Sequence, residues 1–343
     1  MKRKILLPLL CVAAAALLCG VLLFKKNAEK DDAAKPLAVI FDTDMGNDVD
    51  DVIALEMLAN YMRAGVLDLK CVSVGKCNPY AVEFTDGYLK YHGYAEIPLG
   101  FAYNGVTPEG TSFLIPTLEA EAGGKKILTP AENVAATVPE GYVQLRRTLS
   151  EAEDGSVIAI AVGPLTNIAR LLESEPDDIS PLSGVGLVRE KVKSLYVMGG
   201  DFSGSTNPEY NILMDIDAAK CVFEKCPVET VACGFEIGLA LPYPASSIME
   251  DFGDPAQYPL CIAYFNWGTM PYDRPSWDPA TVLAAIEPDA GYFSYSPAVK
   301  ICVDDEGRTS FEESPEGLHR YLLLDENDRG RVLDALVSRT AGK

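Results

Sequence analysis

Histidine and basic residues are scarce in this sequence. Only His92 and His319 occur among 343 residues, and no Cys-x-x-Cys pair or Cys/His spacing typical of a zinc site is present. Lysine and arginine total 29 against 50 aspartate and glutamate residues, which gives a formal net charge of −21. There is also no basic patch with interleaved aromatic residues. The composition therefore argues against nucleic acid or an anionic membrane surface as a partner.

The sequence also lacks a repeat of fixed period, a low-complexity tract and a heptad run. Nine cysteines are present, and two of them precede residue 25. The other seven cannot all pair, because their number is odd. Cys71, Cys233 and Cys302 fall in strand-like apolar runs, which indicates small core residues, and no cysteine spacing requires a disulfide.

The N-terminus has the features of a targeting segment. Residues 1–4 are basic, residues 5–24 contain no charge, and residues 25–35 are polar. We interpret residues 1–24 as a signal peptide or membrane anchor and residues 25–35 as a linker, so we predict an exported protein. Twenty uncharged residues are long enough to span a bilayer and no clear cleavage site follows, so release and anchorage both stay open.

Acidic residues are clustered near the start of the body of the chain, residues 36–343. The apolar run Leu37–Phe41 predicts a buried parallel strand, and residues 52–59 have the spacing of a helix. Between them lie five carboxylates within ten positions, those of Asp42, Asp44, Asp48, Asp50 and Asp51. They are therefore expected at the carboxyl end of a strand, where open α/β sheets bind their ligands.

Five carboxylates in one turn repel one another strongly in a partly desolvated site. Asp50 and Asp51 can occupy the first helical turn, where the helix dipole favours anions. The others need a cation or strong hydrogen-bond donors, and Ca²⁺ or Mg²⁺ is the cation that carboxylates suit best. The alternative is a helix N-cap followed by a solvated acidic loop.

Strand-like and helix-like runs alternate along the chain, which predicts an α/β fold with a single large, open, mostly parallel sheet flanked by helices. A small C-terminal hairpin is predicted at residues 299–303 and 309–311, followed by a helix at 328–338. Four predicted strands end on unusual residues, at the Asp42 loop, Lys76–Asn78, Val162–Pro164 and Gly199–Asp201. Since the carboxyl ends of parallel strands lie at one edge, these loops predict a single shared site.

Four segments in order resemble the nucleoside hydrolases of the inosine–uridine type. They are the acidic loop with Ala54-Leu55, Gly163–Ala169, the stretch from Met198 to Asp215 and Trp277-Asp278-Pro279. The resemblance implies that family's fold, one bound Ca²⁺ and hydrolysis of the N-glycosidic bond of ribonucleosides or related ribosides to ribose and free base. The partner that it implies is a small-molecule nucleoside, while membrane attachment involves the N-terminal segment alone. A homo-oligomer stays open.

The resemblance also implies roles for single residues. Asp44 corresponds to a metal ligand and to the general base that takes a proton from water. Asp50 and Asp51 correspond to paired aspartates at the metal and the ribose, and the backbone carbonyl of Val162 and the carboxylate of Asp278 complete the metal ligands. By itself, Asp278 before Pro279 favours an N-cap, whereas the other motifs together favour the ligand.

Sugar contacts are implied for four further residues: Asn78, Asn207, Glu209 and Asn211. Asn78 has an alternative role as a turn residue before Pro79, and Asn211 as a cap for the segment that follows it. Asn207 is the nearest candidate for an asparagine that the family usually carries a few residues before the glutamate.

The acidic loop departs from the family pattern in length. Five residues, 45–49, separate Asp44 from the pair, where three are usual. Asp48 is then an extra carboxylate and a possible ligand, although another alignment places Asp48 first in the pair. Asp42 is interpreted as a supporting residue behind the site.

The leaving-group side departs more strongly, because Trp277 stands where better-known members have a histidine that acts as the acid. Tyr264, Tyr272 and Asp273 are candidate replacements, and Trp277 either stacks on a base or fills the core. Two other hypotheses stay open: a non-catalytic exported sugar- or nucleoside-binding protein, and a phosphatase-type hydrolase suggested by the Asp-x-Asp at Asp42. Gly46 stands where the phosphatase loop normally has Thr or Val, which disfavours the second.

Overall fold

Parallel pairing around the first strand organises the fold. The computed structural model describes residues 35–110 and 112–343, so the predicted targeting segment and all but the last residue of the predicted linker lie outside the described residues. Residues 37–343 form one compact unit.

The described strands are β1 (Leu37–Thr43), β2 (Leu67–Val74), β3 (Leu99–Phe101), β4 (Glu121–Ala122), β5 (Lys125–Lys126), β6 (Val157–Ala161), β7 (Val192–Met198), β8 (Glu229–Cys233), β9 (Pro242–Tyr243), β10 (Arg274–Pro275), β11 (Ser294–Tyr295), β12 (Val299–Val303), β13 (Thr309–Glu313) and β14 (His319–Leu323).

Ten of these strands form one sheet with the order β13-β12-β14-β8-β7-β6-β1-β2-β3, and β11 pairs with β14 beside this path. Every pairing from β14 to β3 is parallel, whereas β11, β12 and β13 join antiparallel. The prediction of a single large, mostly parallel sheet is confirmed. The hairpin is present, but β14, which the sequence did not reveal, connects it to the main sheet.

Helices cover both faces of the sheet. They are Asp50–Arg63, Pro79–Tyr91, Leu114–Glu119, Val134–Thr137, Gly141–Glu151, Thr166–Glu173, Gly184–Lys191, Tyr210–Met214, Ile216–Lys225, Phe235–Leu239, Ala245–Glu250, Pro259–Trp267, Trp277–Ile286 and Arg329–Thr340. Successive residues of β1 alternate between two hydrophobic cores, since Val39 and Phe41 belong to one cluster and Ile40 to the other. Among the described residues, no helix combines the length and apolar character that crossing a bilayer requires.

The chain reverses its direction of propagation across the sheet at β1. Strands β2 and β3 lie on one side of β1, and β6, β7 and β8 lie on the other. Loops after β1 and β6 therefore separate at the carboxyl edge and leave a crevice, which is where doubly wound sheets bind ligands. The acidic loop follows β1 and so enters this crevice directly.

The buried amide of Asn60 joins the first helix to the last one. Its Nδ2 donates to the carbonyls of Arg339 and Thr340 at 3.1 and 2.7 Å. We expect Asn60→Ala to lower the free energy of unfolding by about 1–2 kcal/mol, because two carbonyls at a helix end lose their donor. Urea denaturation of both proteins measures the change. An equal loss in Asn327→Ala, whose exposed amide donates to nearby Asp325, would contradict this assignment.

Candidate functional site

A cavity of about 350 Å³ opens at the carboxyl ends of β1, β6, β7 and β8. It thus brings together loops that are more than 200 residues apart in sequence. Its lining consists of Asp44, Asn47, Asp48, Asp50, Asp51, Val162, Met198, Glu209, Tyr210, Asn211, Phe235, Trp267, Arg274, Trp277 and Asp278. Eight of the predicted site residues are therefore neighbours, together with Asp48 from the uncertain set.

Two glycines permit the tight path of the acidic loop. Gly46 has φ of 100°, and a Cβ built there would lie 2.4 Å from the Leu114 side chain. Gly163, after β6, packs so closely that its Cβ would lie 2.8 Å from the backbone nitrogen of Asp44. The backbone after β6 therefore lies directly against Asp44.

The aspartate pair lies in the first turn of the helix Asp50–Arg63, and both side chains are buried. One oxygen of Asp50 accepts hydrogen bonds from the backbone N–H groups of Trp277 and Asp278, each at 3.1 Å. Asp51 accepts a hydrogen bond from the Thr43 hydroxyl. Asp50 thus fixes the start of the helix Trp277–Ile286, which carries Asp278, against the acidic loop.

Burial dominates the electrostatics of this cluster. Desolvation raises the pKa of Asp44 to about 7, and the positive charge of Lys76 opposes that rise. For Asp50, Asp51 and Asp278, burial followed by repulsion from neighbouring carboxylates raises the pKa well above its usual value. A bound cation would lower these pKa values and so offset both burial and repulsion, since it attracts the ionised form of each group.

The opposite wall of the cavity contains Glu209 and Asn211. Both oxygens of Glu209 accept backbone N–H groups, from Asn211, Ile212 and Gly200 at 2.9–3.2 Å. The amide of Asn211 donates to the carbonyl of Val162 at 3.0 Å and to that of Met198 at 3.2 Å. Asn211 therefore holds the Val162 carbonyl at the cavity, where the resemblance requires it.

Asp48 pairs with Arg274, which the sequence analysis did not single out. The guanidinium donates hydrogen bonds to both carboxylate oxygens, from Nε to Oδ1 at 2.9 Å and from Nη2 to Oδ2. Its carbon also lies 5.3 Å from the ring centre of Trp267 and 5.2 Å from that of Trp277. The Trp277 ring stacks on Phe235 at 5.4 Å, so this end of the cavity is aromatic and carries a paired cation.

Three predicted site residues do not line the cavity. Asn78 caps its helix through a hydrogen bond from Tyr80 N–H, and its amide donates to the carbonyl of Pro108. This geometry matches the turn alternative. Asn207 is exposed on the surface. Asp42 is buried behind the cavity, where it accepts hydrogen bonds from Ser73 and Asn167, which agrees with the supporting role.

The candidate leaving-group acids also lie elsewhere. The hydroxyls of Tyr264 and Tyr272 donate to backbone carbonyls and their rings stack, while Asp273 accepts the backbone N–H of Ala245. His92 packs beside Glu56, and His319 lies in β14. None of the five lines the cavity.

Sequence reasoning missed Lys76 and Arg274. Lys76 follows β2 and is completely buried, and its ammonium donates to the carbonyls of Thr107 and Glu109. The burial of a lysine leaves no mark in a loop sequence such as Gly75–Asn78. Arg274 belongs to no recognisable motif and its partner is 226 residues away.

The chemistry of the donor set fits a hard divalent cation. One oxygen of Asp44 and one of Asp51 are buried and accept no hydrogen bond within residues 35–110 and 112–343, and such groups are costly unless paired or bound to metal. In the same residues, no three His, Cys, Asp or Glu side chains are grouped as a formed metal cluster. Asp50 and Asp51 accept hydrogen bonds from N–H and hydroxyl donors, and the aspartates together supply the oxygen ligands that such a cation prefers.

Comparison with known proteins gives a consistent result. The family model described as inosine-uridine preferring nucleoside hydrolase matches residues 39–334. The non-specific ribonucleoside hydrolase RihC of Escherichia coli is 29% identical over 209 residues, which cover 59% of this chain and 62% of that protein. A probable uridine nucleosidase 2 of Arabidopsis thaliana is 26% identical over 278 residues, or 76% of this chain and 80% of that one.

A solved plant nucleoside hydrolase, PpNRh1, shares the fold. It superimposes with a TM-score of 0.67 at 22% identity, covering 90% of this chain and 100% of its own.

Proposed function

Since the chain belongs to the inosine-uridine preferring nucleoside hydrolase family, we propose that it hydrolyses the N-glycosidic bond of ribonucleosides to give ribose and free base. The observation that carries this proposal is the burial of Asp44, Asp50, Asp51 and Asp278 at one cavity with an aromatic end. The names of the two relatives, a ribonucleoside hydrolase and a uridine nucleosidase, support it. The chain spans 62% of the length of the first relative, so the activity itself is inferred.

We assign Ca²⁺ to the carboxylate cluster. Asp44, Asp50, Asp51, Asp278 and the carbonyl of Val162 would hold it, as oxygen ligands suit this ion. When bound, the ion supplies Lewis-acid activation of water and an anchor for sugar hydroxyls.

The side chains of the protein provide the remaining chemistry. The Asp44 carboxylate takes a proton from the attacking water. The transition state of glycoside hydrolysis resembles an oxocarbenium ion, so the surrounding carboxylates stabilise the positive charge that develops on the sugar. Glu209 is fixed by three backbone N–H groups and presents a rigid edge to the sugar.

Export is a further proposal, and it rests on the sequence of residues 1–24. The basic start and the uncharged stretch support it. Cell fractionation of the full chain would locate the protein.

Removing Ca²⁺ tests the proposed function. We expect the purified protein with Ca²⁺ to release reducing sugar from nucleosides. Chelation should abolish the release and lower the melting temperature, because the carboxylates lose the cation that offsets their repulsion. Restored Ca²⁺ should restore both the activity and the melting temperature, and NaCl at the same ionic strength serves as the control for a general salt effect.

Two outcomes would contradict the proposal. Phosphate release from phosphomonoesters in place of sugar release would favour the phosphatase-type alternative. Nucleoside binding by calorimetry without any turnover would indicate a binding protein.

A further inference from the structure

The aromatic end of the cavity contains no group that donates a proton easily. Among the described residues, the cavity lining includes no histidine, the hydroxyl of Tyr210 donates to Asn47, and the carboxylate of Asp48 is held by Arg274. The Trp277 N–H donates to the carbonyl of Phe235 at 2.9 Å and is thereby occupied. A leaving base at this end therefore needs stabilisation of another kind.

Arg274 has the geometry to supply it. Nε and Nη2 bind Asp48, whereas Nη1 makes no hydrogen bond to any residue in the described part of the chain. The guanidinium lines the cavity between two tryptophan rings, which fix its plane through cation–π contact. Its remaining donors are thus available to an acceptor on a planar ligand that stacks on the same wall.

An arginine in this setting does not act as an acid. The guanidinium stays protonated in proteins: burial lowers the pKa of Arg274, but the hydrogen bond and negative charge of Asp48 outweigh burial and raise that pKa above its usual value. It stabilises negative charge by donating hydrogen bonds while keeping its proton.

We propose that Arg274 is a catalytic residue that stabilises the departing base as an anion. The inference rests on the proposed function. The bond between C1′ and the base nitrogen breaks, and both of its electrons go to that nitrogen. The Arg274 guanidinium stabilises the resulting negative charge of the base by donating hydrogen bonds to it. The water oxygen bonds to C1′, its proton goes to Asp44, and the released base takes a proton from solvent.

Asp48 is then a positioning residue. Its two carboxylate oxygens accept hydrogen bonds from Nε and Nη2 and thereby set the plane of the guanidinium. Nη1 is the guanidinium nitrogen that does not bond to this carboxylate. This role accounts for the extra carboxylate of the lengthened acidic loop.

The test compares two substrates whose leaving groups differ in how much stabilisation they need. Uridine requires stabilisation of its base, whereas p-nitrophenyl β-D-ribofuranoside releases a phenolate that needs little. For Arg274→Met we expect kcat/KM on uridine to fall by about a hundredfold and kcat/KM on the p-nitrophenyl riboside to change by less than about threefold. Arg189→Met, at an exposed position, should change neither.

Asp48→Asn gives a second route if Arg274→Met folds poorly. This substitution keeps the guanidinium but weakens the hydrogen bonds that hold it. We therefore expect kcat/KM on uridine to fall by less than in Arg274→Met, and kcat/KM on the p-nitrophenyl riboside again to change little. Equal losses on both substrates, or an unchanged rate on uridine, would overturn the role of Arg274. If the wild-type protein turns over neither substrate, the proposed function fails instead, so the two failures are distinguishable.

Discussion

Asp44→Asn lowers kcat for nucleoside hydrolysis by about a hundred- to ten-thousandfold, the range expected when a general base is lost. Asparagine preserves the volume of a side chain that is packed against Gly163, so the fold should persist. What changes is the charge and the proton acceptor. Because one buried oxygen of Asp44 accepts no hydrogen bond in the described structure, its replacement by an amide also exchanges a charged candidate Ca²⁺ ligand for a neutral and weaker one.

Two measurements separate these contributions. Steady-state kinetics on uridine at saturating Ca²⁺ reports the catalytic loss, and calorimetric titration reports the change in Ca²⁺ affinity. Asp334→Asn, at an exposed position of the C-terminal helix, is the matched control and should match the wild-type protein in both. Full activity in Asp44→Asn would refute the assigned base.

Lys76→Met is expected to destabilise the protein in the absence of Ca²⁺ by about 3 kcal/mol. The ammonium is completely buried and donates to the carbonyls of Thr107 and Glu109. Thr107 has φ of 56°, a left-handed conformation that is rare for a β-branched residue, so the loop depends on this anchor. Methionine fills the space of the lysine stem but leaves both carbonyls without their donor.

The same substitution should strengthen Ca²⁺ binding. Lys76 interacts electrostatically with Asp44 and Asp51, so it repels a cation that these carboxylates attract. Urea unfolding with and without Ca²⁺ tests both effects: the free energy falls in the apo protein, and Ca²⁺ restores more of it than in the wild type. Lys193→Met, at an exposed position, is the control. An unchanged response to Ca²⁺ would show that the cluster does not sense the charge of Lys76.

The sequence predicted the site where local pattern and topology agree. An apolar strand followed by clustered carboxylates is visible in one window of sequence, and the parallel arrangement then places Val162 and Glu209 at the same edge. Asp278 required the family resemblance, because Asp before Pro at a helix start by itself favours a cap. The structure places Ser276 at the N-cap and Asp278 inside the first helical turn, so Asp278 is not the cap.

Long-range charge pairing could not be predicted in the same way. Asp48 was visible only as an unexplained carboxylate, because its partner lies in the two-residue strand β10, which has no period of its own. For Asn78 the sequence left a turn role and a sugar contact open, and the local capping rule describes the hydrogen bond that the structure shows. Strand β14 was missed because its sequence, His319–Leu323, is short, and its pairing with β8 joins positions about 90 residues apart.

The position of β14 has a consequence for biosynthesis. Strand β8 (Glu229–Cys233) pairs with β7 on one side and with β14 (His319–Leu323) on the other. During translation, the outer edge of β8 therefore lacks its native partner until the residues of β14 have also left the ribosome. An open strand edge is a template for association with other chains. We expect a nascent chain that stops before residue 319 to aggregate through β8, even though every residue of the carboxylate cluster has already been made.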